Sequence, residues 1–152
     1  MDRLEGMLQS QLKLQQDLGY DFSKMTTTER IRFIKDMMLA AQNELAEALN
    51  EMSWKPWTVG ERFNTTAFTS ELSDAFQFVM NMWFAALPSF TPTELAEVMR
   101  ETLQLKLIIN RKRHAEGYDG VNTKCPKCKR ALDDPHVGCA PQLGLCTARA
   151  TA

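Results

Sequence analysis

Cysteine is missing from most of this chain: all four cysteines among the 152 residues lie at or after position 125. A disulfide framework needs cysteines spread through the fold, so this clustering argues against one and indicates a single local site. We also expect no signal peptide, because the opening MDRLEG is charged and no apolar segment follows it. We therefore expect a cytoplasmic protein whose thiols stay reduced.

Long apolar runs are absent as well. The longest, FVMNMWFAAL at 78–87, is too short to span a bilayer and is interrupted by Asn81. No segment alternates apolar and polar residues over a useful length, which argues against β-strands, and there is no internal repeat or low-complexity segment. The hydrophobic content of 44% and charged content of 24% are ordinary for a globular domain and argue against disorder.

A strong net charge is the last thing lacking, since the total is −1 and leaves no global field for nucleic acid or membranes. The distribution is uneven, however. Residues 106–130, here called the basic strip, hold eight Lys or Arg against Glu116 and Asp119, a local charge of +6, so the remainder carries −7. The strip supports one alternative function, a nucleic-acid-binding adaptor, although it lacks interleaved aromatic residues.

Helical periodicity dominates the first 115 residues. Apolar spacing and turn residues predict four helices, at about 3–18, 27–52, 67–87 and 92–115. Capping boxes open the second and fourth of them, at Thr26/Glu29 and Thr91/Glu94. Gly19 and Gly117 mark helix ends, and Pro56 stops the second helix. The sequence thus predicts an all-α bundle of about four main helices.

Two pairs of carboxylates recur at i,i+3 spacing, Glu44 with Glu47 on the second helix and Glu71 with Asp74 on the third. This spacing places each pair on one side of its helix. The third helix is apolar on nearly every side, so ionised acids there need a positive partner. If the helices pack antiparallel, all four carboxylates converge, and oxygen-only clusters suit Mg²⁺ or Mn²⁺. The alternative is two ordinary solvated acid pairs.

Three segments carry a family resemblance: NELAEALNEMSWKPW, then ELSDAFQFVMNMWFAAL, then KLIINRKRHAEGYDG. Together they resemble the dimeric, all-α dUTP/dCTP pyrophosphatases, relatives of the MazG-type nucleotide pyrophosphohydrolases. Those enzymes share an E-x-x-E and an E-x-x-D motif, a Pro-Trp-Lys-like turn, and a late K-x-x-x-N-x-x-R-x-x-x-G-Y. The resemblance covers roughly residues 7–119, which we take as the enzyme domain, 1–119, followed by a tail, 120–152.

The resemblance implies a homodimer that hydrolyses a deoxynucleoside triphosphate, dUTP first and dCTP next, to the monophosphate and pyrophosphate. It implies that the four carboxylates bind Mg²⁺ or Mn²⁺ and that Glu47 and Glu71 act in catalysis, Glu47 by orienting the attacking water. Substrate-binding residues follow from the same motifs: Gln11, Trp54, Lys55, Trp57, Asn81, Lys106, Asn110, Arg113 and Tyr118. A phage-encoded enzyme would fit the small size, and a catalytically dead relative is a third interpretation.

Several of these residues have structural alternatives. Trp54 and Trp57 either wall the base pocket or form an apolar staple that closes the helix hairpin. Asn81, with Gln77 one turn earlier, either reads the nucleotide or satisfies a buried neighbour. The cations of the fourth helix either grip phosphates or complement the helix dipole. The methionines that include Met37 are expected in the core or the dimer interface, without special chemistry.

The tail contains Cys125-x₂-Cys128, then Cys139 and Cys146, with His136 between the two halves. A C-P-x-C turn is half of a typical structural zinc site. Either the four thiolates bind Zn²⁺, or His136 replaces Cys146. The alternatives are free thiols or a redox C-x-x-C, and the redox alternative is poor because no βαβ pattern surrounds it.

Overall fold

The structure is a computed structural model that describes residues 2–117 together with Lys124, Cys125, Cys128 and Ala131. These residues form four α-helices: α1 (Arg3–Asp17), α2 (Thr27–Asn50), α3 (Thr65–Ala86) and α4 (Pro92–Ala115). A short 3-10 helix, Phe22–Lys24, lies between α1 and α2. Within the described ranges there is no β-strand, only two isolated bridges. The predicted all-α class is confirmed.

Side-chain caps begin the helices where local chemistry favours it. Thr26 accepts a hydrogen bond from the backbone N–H of Glu29, and the Glu29 carboxylate accepts one from the Thr26 N–H at 2.7 Å. The same box joins Thr91 and Glu94 at the start of α4. α3 starts two residues earlier than the sequence predicts, because the Asn64 side chain caps the helix by accepting from the Ala67 N–H.

The chain forms two compact units, Met1–Val98 and Met99–Ala152, whose boundary falls inside α4. In the first unit α2 packs along α3, and α1 also contacts α3. The first turn of α4 is tied to α1, because Thr93 Oγ1 donates to Glu5 Oε1 at 2.9 Å. Leu8 and Leu95 are fully buried in this unit. The predicted domain boundary at 119/120 stays a prediction.

An aromatic cluster fills one end of the first unit. The Phe22 ring meets Phe33 edge-on at 5.3 Å and stacks on Phe84 at 5.7 Å, measured between ring centroids. The 3-10 helix that places Phe22 there was not predicted from the sequence. Asp21 caps this turn by accepting a hydrogen bond from the Ser23 N–H. Its pKa is lowered to about 2, mainly by a hydrogen bond from the Lys24 side chain and secondly by one from the Ser23 side chain. A turn of three residues thus carries its own cap and one core side chain.

The segment between α2 and α3 has internal hydrogen bonds, and α2 does not simply end at Pro56. α2 ends at Asn50, six residues before the proline. The Arg62 guanidinium donates to the Asn50 carbonyl, and the Ser53 N–H donates to the Arg62 carbonyl at 2.8 Å. Met52 and Phe63 form an antiparallel bridge. The segment 51–64 therefore folds back on itself and satisfies the end of α2.

The second unit is described through the rest of α4 and a few residues beyond it. Lys112, Arg113 and His114 occupy the last turn of α4, where positive charge is favoured by the helix dipole. Further on, Lys124 and Ala131 form an antiparallel bridge around Cys125, which is fully buried. Among the described residues, no helix has both the length and the apolarity that crossing a membrane requires.

Candidate active site

The structure brings three of the predicted carboxylates together between α2 and α3. One oxygen from each of Glu44, Glu47 and Glu71 lies within 4.8 Å of the other two. Glu44 and Glu71 are partly buried, and Glu47 is exposed. Glu44 and Glu47 lie one turn apart on α2, so their meeting with Glu71 depends on how α3 is aligned beside α2. Helix packing thus converts two separate motifs into one cluster, here called the acid cluster.

Glu44 is affected both by burial and by its acidic neighbours. Partial burial raises the pKa of this carboxyl above its ordinary value, and repulsion from Glu47, Asp74 and Glu71 raises it further. Asp74 therefore belongs to the same electrostatic neighbourhood, although it is not among the three closest ligand atoms. Without a cation, the ionised form of Glu44 is therefore disfavoured relative to that of a solvated glutamate.

Amide side chains from the same two helices hold two of the acids in place. Asn43 Nδ2 donates to Glu47 Oε1 at 2.6 Å, and Gln77 Nε2 donates to Asp74 Oδ1 at 3.1 Å. Each bond occupies one carboxylate oxygen and leaves the other available. Asn43 was not among the predicted site residues, although its i,i+4 spacing from Glu47 indicates that the two side chains can meet.

The donor set fits a hard divalent cation. Mg²⁺ binds through a small number of carboxylate oxygens and keeps water and phosphate as its other ligands. The acid cluster offers only oxygen donors, carries unbalanced negative charge, and is open to solvent on the side of Glu47. In the part of the chain that the structure describes, no Lys or Arg side chain forms an ion pair with these acids. Their negative charge is therefore not balanced by a basic side chain there.

A second polar group lies further along the same helices. Gln11 of α1 and Asn81 of α3 are 7% and 3% exposed, and Gln11 Nε2 donates to Asn81 Oδ1 at 2.9 Å. On its other side, Asn81 Nδ2 donates to Met37 Sδ of α2 at 3.6 Å. The two amides that the resemblance assigns to substrate binding are thus directly paired, and Met37 is an unexpected third member.

The predicted turn, Trp54-Lys55-Pro56-Trp57, lies on the surface of the 51–64 segment. Trp54 is 46% and Trp57 76% exposed, so Trp57 does not act as a buried staple for the helix hairpin. The Lys55 ammonium lies 5.4 Å from the centroid of the Trp54 ring, a cation–π distance. Lys55 and Arg62 both line a cavity of about 250 Å³. Arg62 was not among the predicted site residues, because no motif marks it.

The remaining predicted residues belong to the second unit. Lys106, Asn110 and Arg113 lie on one face of α4, because their spacing is i, i+4, i+7. Cys125 is buried and Cys128 is partly buried, as the first half of the predicted zinc site. Four further predicted residues lie outside the described part of the chain: Tyr118, His136, Cys139 and Cys146.

Comparison with known proteins bears on the first two-thirds of the chain. A family model described as dUTPase, that of the all-α dimeric enzymes, matches residues 3–106. No curated protein and no solved structure gave a significant match. The matched region contains α1, α2 and α3 entire, with the acid cluster and the Gln11–Asn81 pair. The chain belongs to the all-α dimeric dUTPase family.

Proposed function

We propose that this protein hydrolyses dUTP to dUMP and pyrophosphate with the help of divalent cations, and that dCTP is its second substrate. Family membership supports dUTP pyrophosphatase activity. The observation that carries the proposal is the acid cluster, in which oxygens of Glu44, Glu47 and Glu71 approach within 4.8 Å. Such a cluster is electrostatically unfavourable unless something positive binds it.

The acids of the two helices have distinct roles in this proposal. Glu44, Glu47, Glu71 and Asp74 hold Mg²⁺ or Mn²⁺, which would neutralise phosphate charge and acidify bound water. Glu47 also orients the attacking water as a base. Its Oε1 is held by Asn43, which fixes the direction in which Oε2 points. Glu71, partly buried beside Glu44, keeps the cluster negative and assists catalysis.

The substrate residues complete the site. Gln11 and Asn81 contact the base, and Trp54 and Trp57 cover it with exposed indole surface. Lys55, Lys106, Asn110, Arg113 and Tyr118 bind the triphosphate. Lys55 is close to Trp54, so one loop supplies both an aromatic face and a cation.

The experiment is pyrophosphate release from a panel of deoxynucleoside triphosphates with Mg²⁺ or Mn²⁺. We expect dUTP to be cleaved fastest, and Glu71→Gln and Asp74→Asn to lower kcat by at least about a hundredfold, as loss of charge stabilisation in a transition state does. Glu97→Gln, an exposed acid on α4, is the matched control and should keep full activity.

The nucleic-acid-binding alternative has its own signature. A basic strip that binds DNA gives mobility shifts that weaken steeply with salt. Such shifts without turnover of any triphosphate would overturn the enzyme proposal and favour the adaptor.

We further propose that the tail binds structural Zn²⁺ through Cys125, Cys128, Cys139 and Cys146, or with His136 in place of Cys146. Support comes from the buried Cys125 and from the antiparallel bridge between Lys124 and Ala131. Metal analysis should find about one zinc per chain, as four ligands imply. Cys125→Ser should lose it. Retention in Cys146→Ser with loss in His136→Ala would select the histidine set, and a protein without zinc would contradict both sets.

We also propose a homodimer, since α2 and α3 expose an apolar groove lined by Ile34, Val79, Met82, Trp83 and Ala86. Exposed apolar surface of this kind indicates an interaction site.

A further inference from the structure

One sulfur atom lies in a polar chain that crosses three helices. Gln11 of α1 donates to Asn81 of α3 at 2.9 Å, and Asn81 donates to Met37 Sδ of α2 at 3.6 Å. Both amides are more than nine-tenths buried. Buried amides need partners for both their donor and acceptor ends, so each link limits the orientation of the next.

The thioether sulfur of Met37 determines in which direction the hydrogen bonds of this series run. A thioether accepts hydrogen bonds and donates none, so only the Nδ2 end of Asn81 can favourably face Met37. Its Oδ1 then faces Gln11 and can only accept, which turns Gln11 Nε2 toward it. Gln11 Oε1 and the second Nε2 hydrogen are left for another partner. Rotating the Asn81 amide by half a turn would place oxygen against sulfur and break both bonds.

The distance between this hydrogen-bonded series of side chains and the acid cluster matches the length of one nucleotide. Met37 contacts Asn81, and Glu44 lies beside Glu71 in the acid cluster, so α2 and α3 run antiparallel and seven residues of α2 separate the two points. At the rise of an α-helix, seven residues correspond to about 10 Å. A deoxyribose and its first phosphates can bridge such a gap, which places the base beside the amides when the phosphates meet the acids.

Uracil and cytosine differ in the pattern that an amide would read. Uracil presents an N3–H donor beside a carbonyl acceptor, and cytosine presents an N3 acceptor beside an amino donor. An amide that turns freely accepts both patterns by exchanging its oxygen and nitrogen, whereas an amide of fixed orientation fits one and leaves unpaired groups against the other.

We propose that Met37 is a positioning residue for base selection: its sulfur fixes the orientation of Asn81, and through it that of Gln11, so that dUTP is preferred over dCTP. This inference rests on the proposed function. It assigns Met37 a role in specificity, through the amides and without contact to the base.

The test compares Met37→Leu, which keeps the apolar volume and removes the acceptor, with Met80→Leu, a buried methionine of α3 as the matched control. We measure kcat/KM for dUTP and for dCTP. Met37→Leu should reduce the ratio of kcat/KM for dUTP to kcat/KM for dCTP by about five- to tenfold. This factor corresponds to the loss of roughly one buried hydrogen bond. Met80→Leu should leave the ratio unchanged.

The outcomes separate this inference from the function beneath it. An unchanged ratio in Met37→Leu, or equal use of dUTP and dCTP by the unsubstituted protein, overturns the inference and leaves the pyrophosphatase intact. Absence of turnover with every triphosphate overturns both.

A second measurement needs no variant and therefore does not depend on Met37→Leu folding. In the unsubstituted protein, the side-chain NH₂ of Asn81 should exchange with water far more slowly than that of the exposed Asn50. Exchange at equal rates would show that the hydrogen bonds of the Asn81 amide open readily to water and do not hold its orientation, against the inference.

Discussion

Glu44 shows how a common helix-forming residue acquires a functional setting. In a solvated E-x-x-E pair, each carboxylate would keep its water and its ordinary pKa. Here partial burial and three neighbouring acids raise the pKa of Glu44. The difference depends on the neighbours that packing provides, and it gives the acid cluster a measurable dependence on pH.

The first prediction concerns stability without metal. An acid whose pKa is raised by folding binds more protons in the folded state, so its contribution to stability is present below its unfolded pKa and is lost as pH rises through the folded pKa. We therefore expect the melting temperature in EDTA to fall as pH rises above about 4.5, and Mg²⁺ to restore it near neutral pH. Thermal unfolding from pH 4 to 8, with and without Mg²⁺, measures this.

The variant Glu44→Gln sharpens the test. Without a carboxylate at position 44, the metal-free protein should lose this part of its pH dependence and become at least as stable at pH 7 as the unsubstituted protein. It should also respond less to Mg²⁺. Glu97→Gln serves as control and should behave like the unsubstituted protein. An equal Mg²⁺ response in both variants would contradict a metal role for Glu44.

The helices themselves depend on short-range signals. Both capping boxes predicted from the sequence are present, at Thr26/Glu29 and Thr91/Glu94. Hydrogen bonds from the Thr26 backbone and hydroxyl lower the pKa of Glu29, and those from Thr91 lower that of Glu94. The stability that these acids contribute is present above their ordinary pKa and is lost as pH falls through the lowered value.

The second prediction follows from the first of these caps. Thr26→Ala removes the hydroxyl that accepts from the Glu29 N–H, so the free energy of unfolding should fall by about 1 kcal/mol. Thr28→Ala, in the exposed first turn of the same helix, is the matched control and should change it by much less. Urea unfolding at pH 7 measures both. Equal effects of the two substitutions would count against the cap.

An exposed apolar face sets the expectation for assembly. On α2, Ile31, Met38 and Leu45 recur every seven residues and are 64%, 50% and 51% exposed. The heptad spacing keeps them on one side of the helix, next to Ile34 at the groove. A single chain would leave this face in water, which favours its burial against a second copy.

The third prediction is therefore a change of oligomeric state. Sedimentation should give twice the 17.3 kDa mass of the chain, and the double variant Ile31→Glu/Met38→Glu should shift it toward the monomer by placing like charges in the interface. Asp36→Lys alters a charge on the opposite side of α2, because five residues from Ile31 turn the helix by about 140°, and this variant should remain dimeric. A monomer at micromolar concentration before any substitution would rule out the proposed dimer.

Much of this protein could be derived without coordinates. The four helices follow from apolar periodicity, capping boxes and turn residues, all of which act within a few residues. The motif E-x-x-E also fixes locally that Glu44 and Glu47 share one side of α2. The start of α3 was less predictable, because its cap residue, Asn64, lies in a loop. The Asn64 side chain also donates a hydrogen bond to the Glu51 carboxylate at 3.0 Å. The turn at Phe22 gave no periodic signal at all.

The convergence of residues from different helices had to come from packing. Glu71 reaches Glu44 only in one alignment of α3 beside α2, and Gln11 pairs with a residue 70 positions away. Met37 looked like any core methionine until its sulfur was found facing Asn81. Local backbone preferences act over one or two turns, whereas helix alignment depends on the total burial of many side chains. The chemistry was therefore encoded in the residue types, and its geometry arose from the way the helices bury their apolar faces.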